Sequence, residues 1–389
     1  MLAGLNGLVK AAYNPLKFQQ LYKELSKIPL NGFHVRQLVW LSDYLIRNNL
    51  VDDDLVSYLF NVVTSDPNPE KPVNPQNPEF DAPNSNRGSA IHALVKCFSH
   101  KEHGDKIFEA LEKVANDPMV SVRISALNDL AVMMNIDKDR TLKLFLKFTL
   151  DTDDEHIFLA SINCAQYLAR YDFEALKPYF EKGINIEKVQ GHLAAILAIA
   201  WLNDKPGSYE FLEKVWNLSD EAKANMVDIA IRNFLADDEK VKIKCEALYK
   251  KYLNSESKTV IHKYDTAFLH IYPVQFRHYL PLLKEFASSK MAAKEPHYFY
   301  EFLTKSSKAN PVEVLEMLKN YKKYKEPNSA TGPYYSPDDP VKALIGAYNG
   351  LYDHSPVNAK YVRKALDLFD EMLKNQLFRE EAQKVLNVI

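Results

Sequence analysis

A chain of 389 residues, 47% hydrophobic and 26% charged, has the make-up of a folded globular protein and not of a disordered tail. Eleven glycines are few for a fold that needs many tight hairpin turns or phosphate loops, and a formal net charge of −2 excludes a global positive field that would draw the whole chain onto nucleic acid or an anionic membrane. Cys97, Cys164 and Cys245 are odd in number and far apart, which fits neither a disulfide framework nor a zinc pattern and predicts a reducing, cytoplasmic setting.

Residues 1–10 lack a basic stretch followed by a sustained apolar core, so no secretory leader is predicted. A 3.6-residue apolar period then predicts helices over 16–28, 33–48 and 52–63, the last opening on Asp52, Asp53 and Asp54, whose charges suit a helix N-terminus. The period stops at 65–85. Six prolines there (Pro67, Pro69, Pro72, Pro75, Pro78 and Pro83) remove backbone donors and predict an extended loop.

Beyond it the helices come in pairs: 87–99 with 105–115, 119–134 with 139–150, 156–168 with 173–182, and 186–202 with 208–218. Short links force antiparallel neighbours. Residues 193–202 form the longest strongly apolar stretch, ten residues against the about 20 that a membrane-spanning helix needs, so a buried helix is predicted and no membrane span. Less regular helices follow at 221–235, 240–253, 259–271, 281–288, 297–306 and 311–324. A second loop is expected over Glu326–Asp339, and helices over 340–352, 358–373 and 375–386 close the chain. No alternating β-branched run appears, so no strand is predicted.

Three helix starts align with one another. Arg87 precedes Arg123 by 36 residues, and Asp117 precedes Asp151 by 34. A helix pair every thirty-odd residues is the mark of an α-solenoid, a row of hairpins that bury their apolar sides against one another. The expected fold is therefore all-α: an N-terminal helical segment (1–64), the Pro-rich loop (65–85), regular repeats (86–236) and less regular helical repeats (237–389). In the middle unit Asp117 is expected to cap the helix start, Pro118 to occupy the first turn, and Arg123 to reach a carboxylate or carbonyl of a neighbouring unit.

The segment from Asp117-Pro118 through Val122-Arg123 to Ala126-Leu127 resembles a HEAT-type repeat. The Pro-rich loop running into Asn86-Arg87-Gly88-Ser89-Ala90 is similar to the helical repeat region near the C-terminal end of large bacterial ATP-binding proteins of the signal-transduction NTPase kind. The likeness covers about residues 66–182. It implies a repeat region that senses a ligand or holds partners. The chain has no Gly-x-x-x-x-Gly-Lys-[Ser/Thr] loop, so it is not the nucleotide-binding part, and the likeness carries no catalytic residue across.

Several clusters carry residue types capable of chemistry. His100, Glu102, His103 and Asp105 could share a metal, but they fall in what reads as a solvated turn, and no metal or cofactor site is predicted. Asp151, Asp153, Asp154 and Glu155 lack the glycine of a calcium loop and read as helix-start residues. Lys319, Lys322, Lys323 and Lys325 interleave with Tyr321 and Tyr324, a pattern that can contact a partner or stack unpaired bases, in a stretch (237–326) with 17 basic against 12 acidic residues. The bland reading is a solvated face with lysine stems over apolar surface. His270, Tyr272, Phe276, Tyr279, Tyr298, Phe299, Tyr300 and Phe302 crowd one region as core or as a binding face. No Gly-x-Ser-x-Gly elbow and no catalytic Cys–His pairing is found. The sequence thus predicts a non-catalytic interaction or sensor module that binds a protein partner along a solenoid surface. The alternative is a nucleic-acid-binding or base-processing protein similar to the HEAT-like DNA glycosylases. A third reading is an enzyme-assisting chaperone of the HEAT-like bilin lyase sort.

Overall fold

The computed structural model describes residues 7, 14–29, 32–65, 77–293, 297–324, 338–352, 357–374, 379–380 and 382–383, with the side chains of 320–324 and 338–339 left aside. The described residues form twenty α-helices joined by short 3₁₀ turns, with no strand among them. They divide into two compact units, residues 1–189 and 190–389.

In the first unit α1 (Pro15–Ser26), α2 (Gly32–Arg47) and α3 (Asp53–Ser65) are followed by the short α4 (Pro78–Asp81). Then come α5 (Asn86–Lys96), α6 (Gly104–Val114), α7 (Val120–Asp129), α8 (Lys138–Leu150), α9 (Glu155–Tyr171) and α10 (Lys177–Gly183). Helices α3, α5, α7 and α9 lie side by side in one layer, while α6 packs on α3, α5 and α7, and α8 on α7, α9 and α10. Helices α5 and α7 therefore each meet a hairpin partner and the equivalent helices of the hairpins on either side, which is solenoid packing. Starts are set by side chains that accept the free amides: Asn14 from Leu16 and Lys17, Ser85 from Gly88, Asp137 from Arg140, and Asp154 from His156. The core between the layers is aromatic. Tyr179 stacks on Phe158 at 5.3 Å, meets Phe145 edge-on, and shares a 2.9 Å hydrogen bond between its hydroxyl and Ser161 Oγ.

The second unit repeats the plan. The helix α11 (Glu187–Leu202) leads into α12 (Ser208–Val215), α13 (Asp220–Asn233), α14 (Glu239–Lys251) and α15 (Lys258–Ala267). It goes on through α16 (Phe276–Ser288), α17 (His297–Ser306), α18 (Pro311–Tyr324), α19 (Asp338–Leu351) and α20 (Ala359–Met372). One layer holds α13, α15, α17 and α19, the other α14, α16, α18 and α20. Phe268, Phe286 and Phe299 interlock at centroid distances of 4.8–5.0 Å in its core. Cys97, Cys164 and Cys245 are all free and buried, and burial pushes the thiols of Cys97 and Cys245 up to about 12.

Three expectations need correction. The Pro-rich loop ends in the helix α4 and a 3₁₀ turn at Ala82–Asn84, because Asn77 caps the turn and Pro78 sits where a helix needs no donor. Residues 66–76 of that loop, most of the second loop (326–337) and most of the predicted helix over 375–386 lie outside the described residues. Pro281 stands inside α16, which begins at Phe276: a 3₁₀ turn at Pro273–Gln275 starts the helix upstream, so the proline falls in its second turn. Several predicted helices also end early in 3₁₀ turns, as at Cys97–Ser99 and Leu130–Asn135.

Candidate functional site: an aromatic ridge flanked by lysines

The residues singled out by the repeat pattern do architectural work. Arg87, in the first turn of α5, donates from Nε and Nη2 to the two carboxylate oxygens of Asp117 at 2.8 and 3.1 Å, and the two side chains are only 13% and 9% exposed. Two parallel charge-assisted bonds of this kind fix both distance and angle between consecutive hairpins. Asp117 also accepts from the Met119 amide at 2.9 Å, closing a tight side-chain turn. That turn holds Pro118 outside the helix, which starts at Val120, so Pro118 is not in the first turn and Asp117 serves the amide just ahead of it. Arg123 does not reach a neighbouring carboxylate: its Nε is buried without an acceptor. The acidic residues of the next unit are engaged elsewhere, Asp153 with Lys182 at 3.1 Å and Asp154 with the His156 amide at 2.9 Å.

The histidine cluster splits. His100 Nε2 meets Asn49 Oδ1 at 3.0 Å, His103 is buried 3.6 Å from Asp53 in a 3₁₀ turn and not in a solvated one, and Asp105 accepts from Arg140 at 2.8 Å. Among the described residues no group of three or more His, Cys, Asp or Glu side chains is placed to hold a metal ion. Lys319 is exposed on α18, while the side chains of Tyr321, Lys322, Lys323 and Tyr324 lie outside the described residues. The aromatic crowd of the second unit resolves mainly into core: Phe276, Tyr279, Phe299, Tyr300 and Phe302 are buried, and Tyr272 is exposed.

The surface that stands out in the second unit carries no motif in the sequence. Helix α11 ends in a Schellman-type closure, the Lys205 amide donating to Ala200 O with Asp204 in the left-handed region (φ 54°). Gly207 (φ 76°) completes the reversal into α12. The reversal brings Trp201 against Tyr209 at 5.8 Å, and Tyr209 meets Trp216, just past the end of α12, at 6.0 Å and 89°. Tyr209 therefore stands between the two tryptophans of the α11–α12 hairpin.

Lysines of α14 lie over both tryptophans. Lys244 Nζ is 5.2 Å from the Trp201 ring centre and donates to Trp201 O at 2.7 Å and Asp204 Oδ1 at 2.6 Å, tying off the negative end of α11. The same contact holds the Asp204 carboxyl below its usual range. Lys251 Nζ sits 3.3 Å over the Trp216 ring, and the Tyr252 hydroxyl donates to Trp216 O at 3.0 Å. Lys214 lies 5.0 Å over the buried Phe211. Tyr209 is 43% exposed, and Leu218 and Ile243 are exposed nearby in sequence to Trp216 and Lys244. A Tyr with two Trp neighbours, held by fixed backbone and partly open to solvent, is the composition of an interface anchor.

Layered antiparallel hairpins with inter-hairpin ion pairs define the class: an all-helical α-solenoid. No protein-family model matches the chain, and no curated protein matches it. Among solved structures it is similar to importin beta, crystallised in an ammonium sulfate condition, at 13% identity and a TM-score of 0.40. That likeness covers 99% of this chain and 52% of the importin beta chain, so the present chain spans about half its length. Among the described residues no helix is long and apolar enough to cross a membrane.

Proposed function

We propose that this chain is a protein-binding scaffold that receives a partner protein on the Trp201–Tyr209–Trp216 ridge. The observation that carries the reading is the ridge itself. Aromatic side chains that cost little entropy to fix, held on a rigid hairpin and partly open to solvent, are what protein interfaces use as anchors. A finer reading rests on the likeness around Arg87 and Asp117: the scaffold works in the bacterial cytoplasm beside a large ATP-binding signalling protein.

A photoreactive phenylalanine at position 209, with a control at the exposed Tyr167 of α9, tests the scaffold reading in the cell that makes the protein. Irradiation should yield a protein adduct from position 209 and none from 167. Adducts to nucleic acid alone, or none from 209, would overturn it. The finer reading predicts that an adduct partner contains a P-loop ATPase domain, which mass spectrometry of the adduct reads directly.

A further inference from the structure

Resting on that reading, we infer that the ridge takes an arginine side chain of its partner, laid on the ring of Tyr209 and paired with the carboxylate of Glu213. The three rings are not alike. Among the described residues Trp201 and Trp216 each carry an ammonium group of the chain itself, Lys244 at 5.2 Å and Lys251 at 3.3 Å from the ring centre, and Tyr209 between them carries none. Tyr209 is exposed and instead donates its hydroxyl proton to Glu213, one turn further along α12 on the same side of the helix. That bond holds the tyrosine's proton above its usual range. Glu213 is exposed, and among the described residues no lysine, arginine or histidine stands within ion-pair distance of it. An open aromatic ring and an unneutralised carboxylate therefore meet at one place.

The visitor that satisfies both is a cation with a flat face. The negative face of an aromatic ring attracts a cation laid over it. A guanidinium can lie flat on the ring and keep N–H groups at its edge for a carboxylate, whereas an ammonium is a point charge without that fork. The site is also set in advance. Glu213 holds the Tyr209 hydroxyl, and the tryptophans flank the ring at 5.8 and 6.0 Å, which lowers the entropy lost when a side chain settles there. The chain's own cations do not fill it. Lys244 is tied to Asp204, Lys214 lies over the buried Phe211, and Lys251 stays a ring away on Trp216. At physiological salt a charge in water is screened over about 8 Å, so Lys251 weighs less on a visitor than the carboxylate bonded to Tyr209 itself. The same carboxylate repels a phosphate backbone, which sets a nucleic-acid strand apart from a basic segment of protein.

The test is fluorescence anisotropy of the full chain with a fluorescein-labelled peptide in which single arginines are spaced by glycine and serine. Peptides with lysine or glutamate in place of every arginine, and a labelled oligo-dT strand, run alongside. The arginine peptide should bind about threefold or more tighter than the lysine peptide, and the glutamate peptide and oligo-dT more weakly than either. Glu213→Gln and Tyr209→Leu should each weaken the arginine peptide by about threefold or more, and Tyr209→Phe, which keeps the ring, by less than Tyr209→Leu. Glu246→Gln, on a carboxylate already paired with Lys250, should stay within about 1.5-fold of the parent. Circular dichroism checks that the variants fold, and Glu213→Gln, on an exposed side chain, carries the test should Tyr209→Leu fail to fold. Lysine peptide bound as tightly as arginine, tighter binding of oligo-dT or of the glutamate peptide, no binding of the arginine peptide, or Glu213→Gln that binds like the parent would each overturn the inference. A protein adduct from position 209 together with any of these leaves the scaffold reading standing and removes only the choice of partner chemistry.

Discussion

The pair of Arg87 and Asp117 shows what one residue can decide. Both groups are largely withdrawn from water, so removing one leaves the other charged and unpaired. Arg87→Ala or Asp117→Ala should each cost about 3 kcal/mol in urea unfolding. Arg87→Met with Asp117→Leu should recover most of that loss, because the desolvation penalty vanishes with both charges. Asp265 behaves in the opposite sense. It is 5% exposed on α15 and accepts from the Phe299 amide at 3.0 Å at the start of α17, yet burial pushes its carboxyl up to about 7. The folded protein thus holds this proton more tightly than the unfolded chain does. Its contribution is complete below about pH 4 and is lost as pH rises through about 7. Asp265→Asn keeps an acceptor without the charge. It should flatten the melting temperature between those values and stabilise the protein at pH 8 by at least about 1 kcal/mol.

At the scale of the helix, close approach decides what can be changed. Gly350 of α19 lies against the chain at Lys308, where an added Cβ would stand 2.6 Å from a backbone carbonyl oxygen. Alanine favours a helix by about 1 kcal/mol over glycine, but a carbonyl cannot turn aside, and overpacking costs about 1–3 kcal/mol. Gly350→Ala should therefore lower the melting temperature and not raise it. Helices were legible in the sequence because a packed stripe imposes its period on the side chains. The 3₁₀ turns were not, since three to six residues are too few to carry a period. Pro281 misled because a proline reads as a start, while the start was made by the turn at Pro273–Gln275. The ridge was invisible for a different reason. It joins Trp201 and Trp216 to lysines of α14, 43 and 35 residues further on, and a helical period speaks only of one helix at a time.

For the molecule as a whole, layered hairpins mean that each helix leans on its neighbours in the row and on little else. Phe286 is almost fully buried among Tyr264, Phe268 and Phe299. Phe286→Ala should cost about 3–5 kcal/mol and speed amide exchange across α15, α16 and α17, with little change in α5, α7 and α9. Uniform acceleration along the entire chain would show a single cooperative body instead. The sealed cysteines carry the same locality into chemistry. A thiol held near 12 and walled off by packing meets no reagent while its surroundings stay shut. An oxidative burst would pass over the resting protein and mark only molecules caught ajar, each modified sulfur recording the address of the stretch that had breathed.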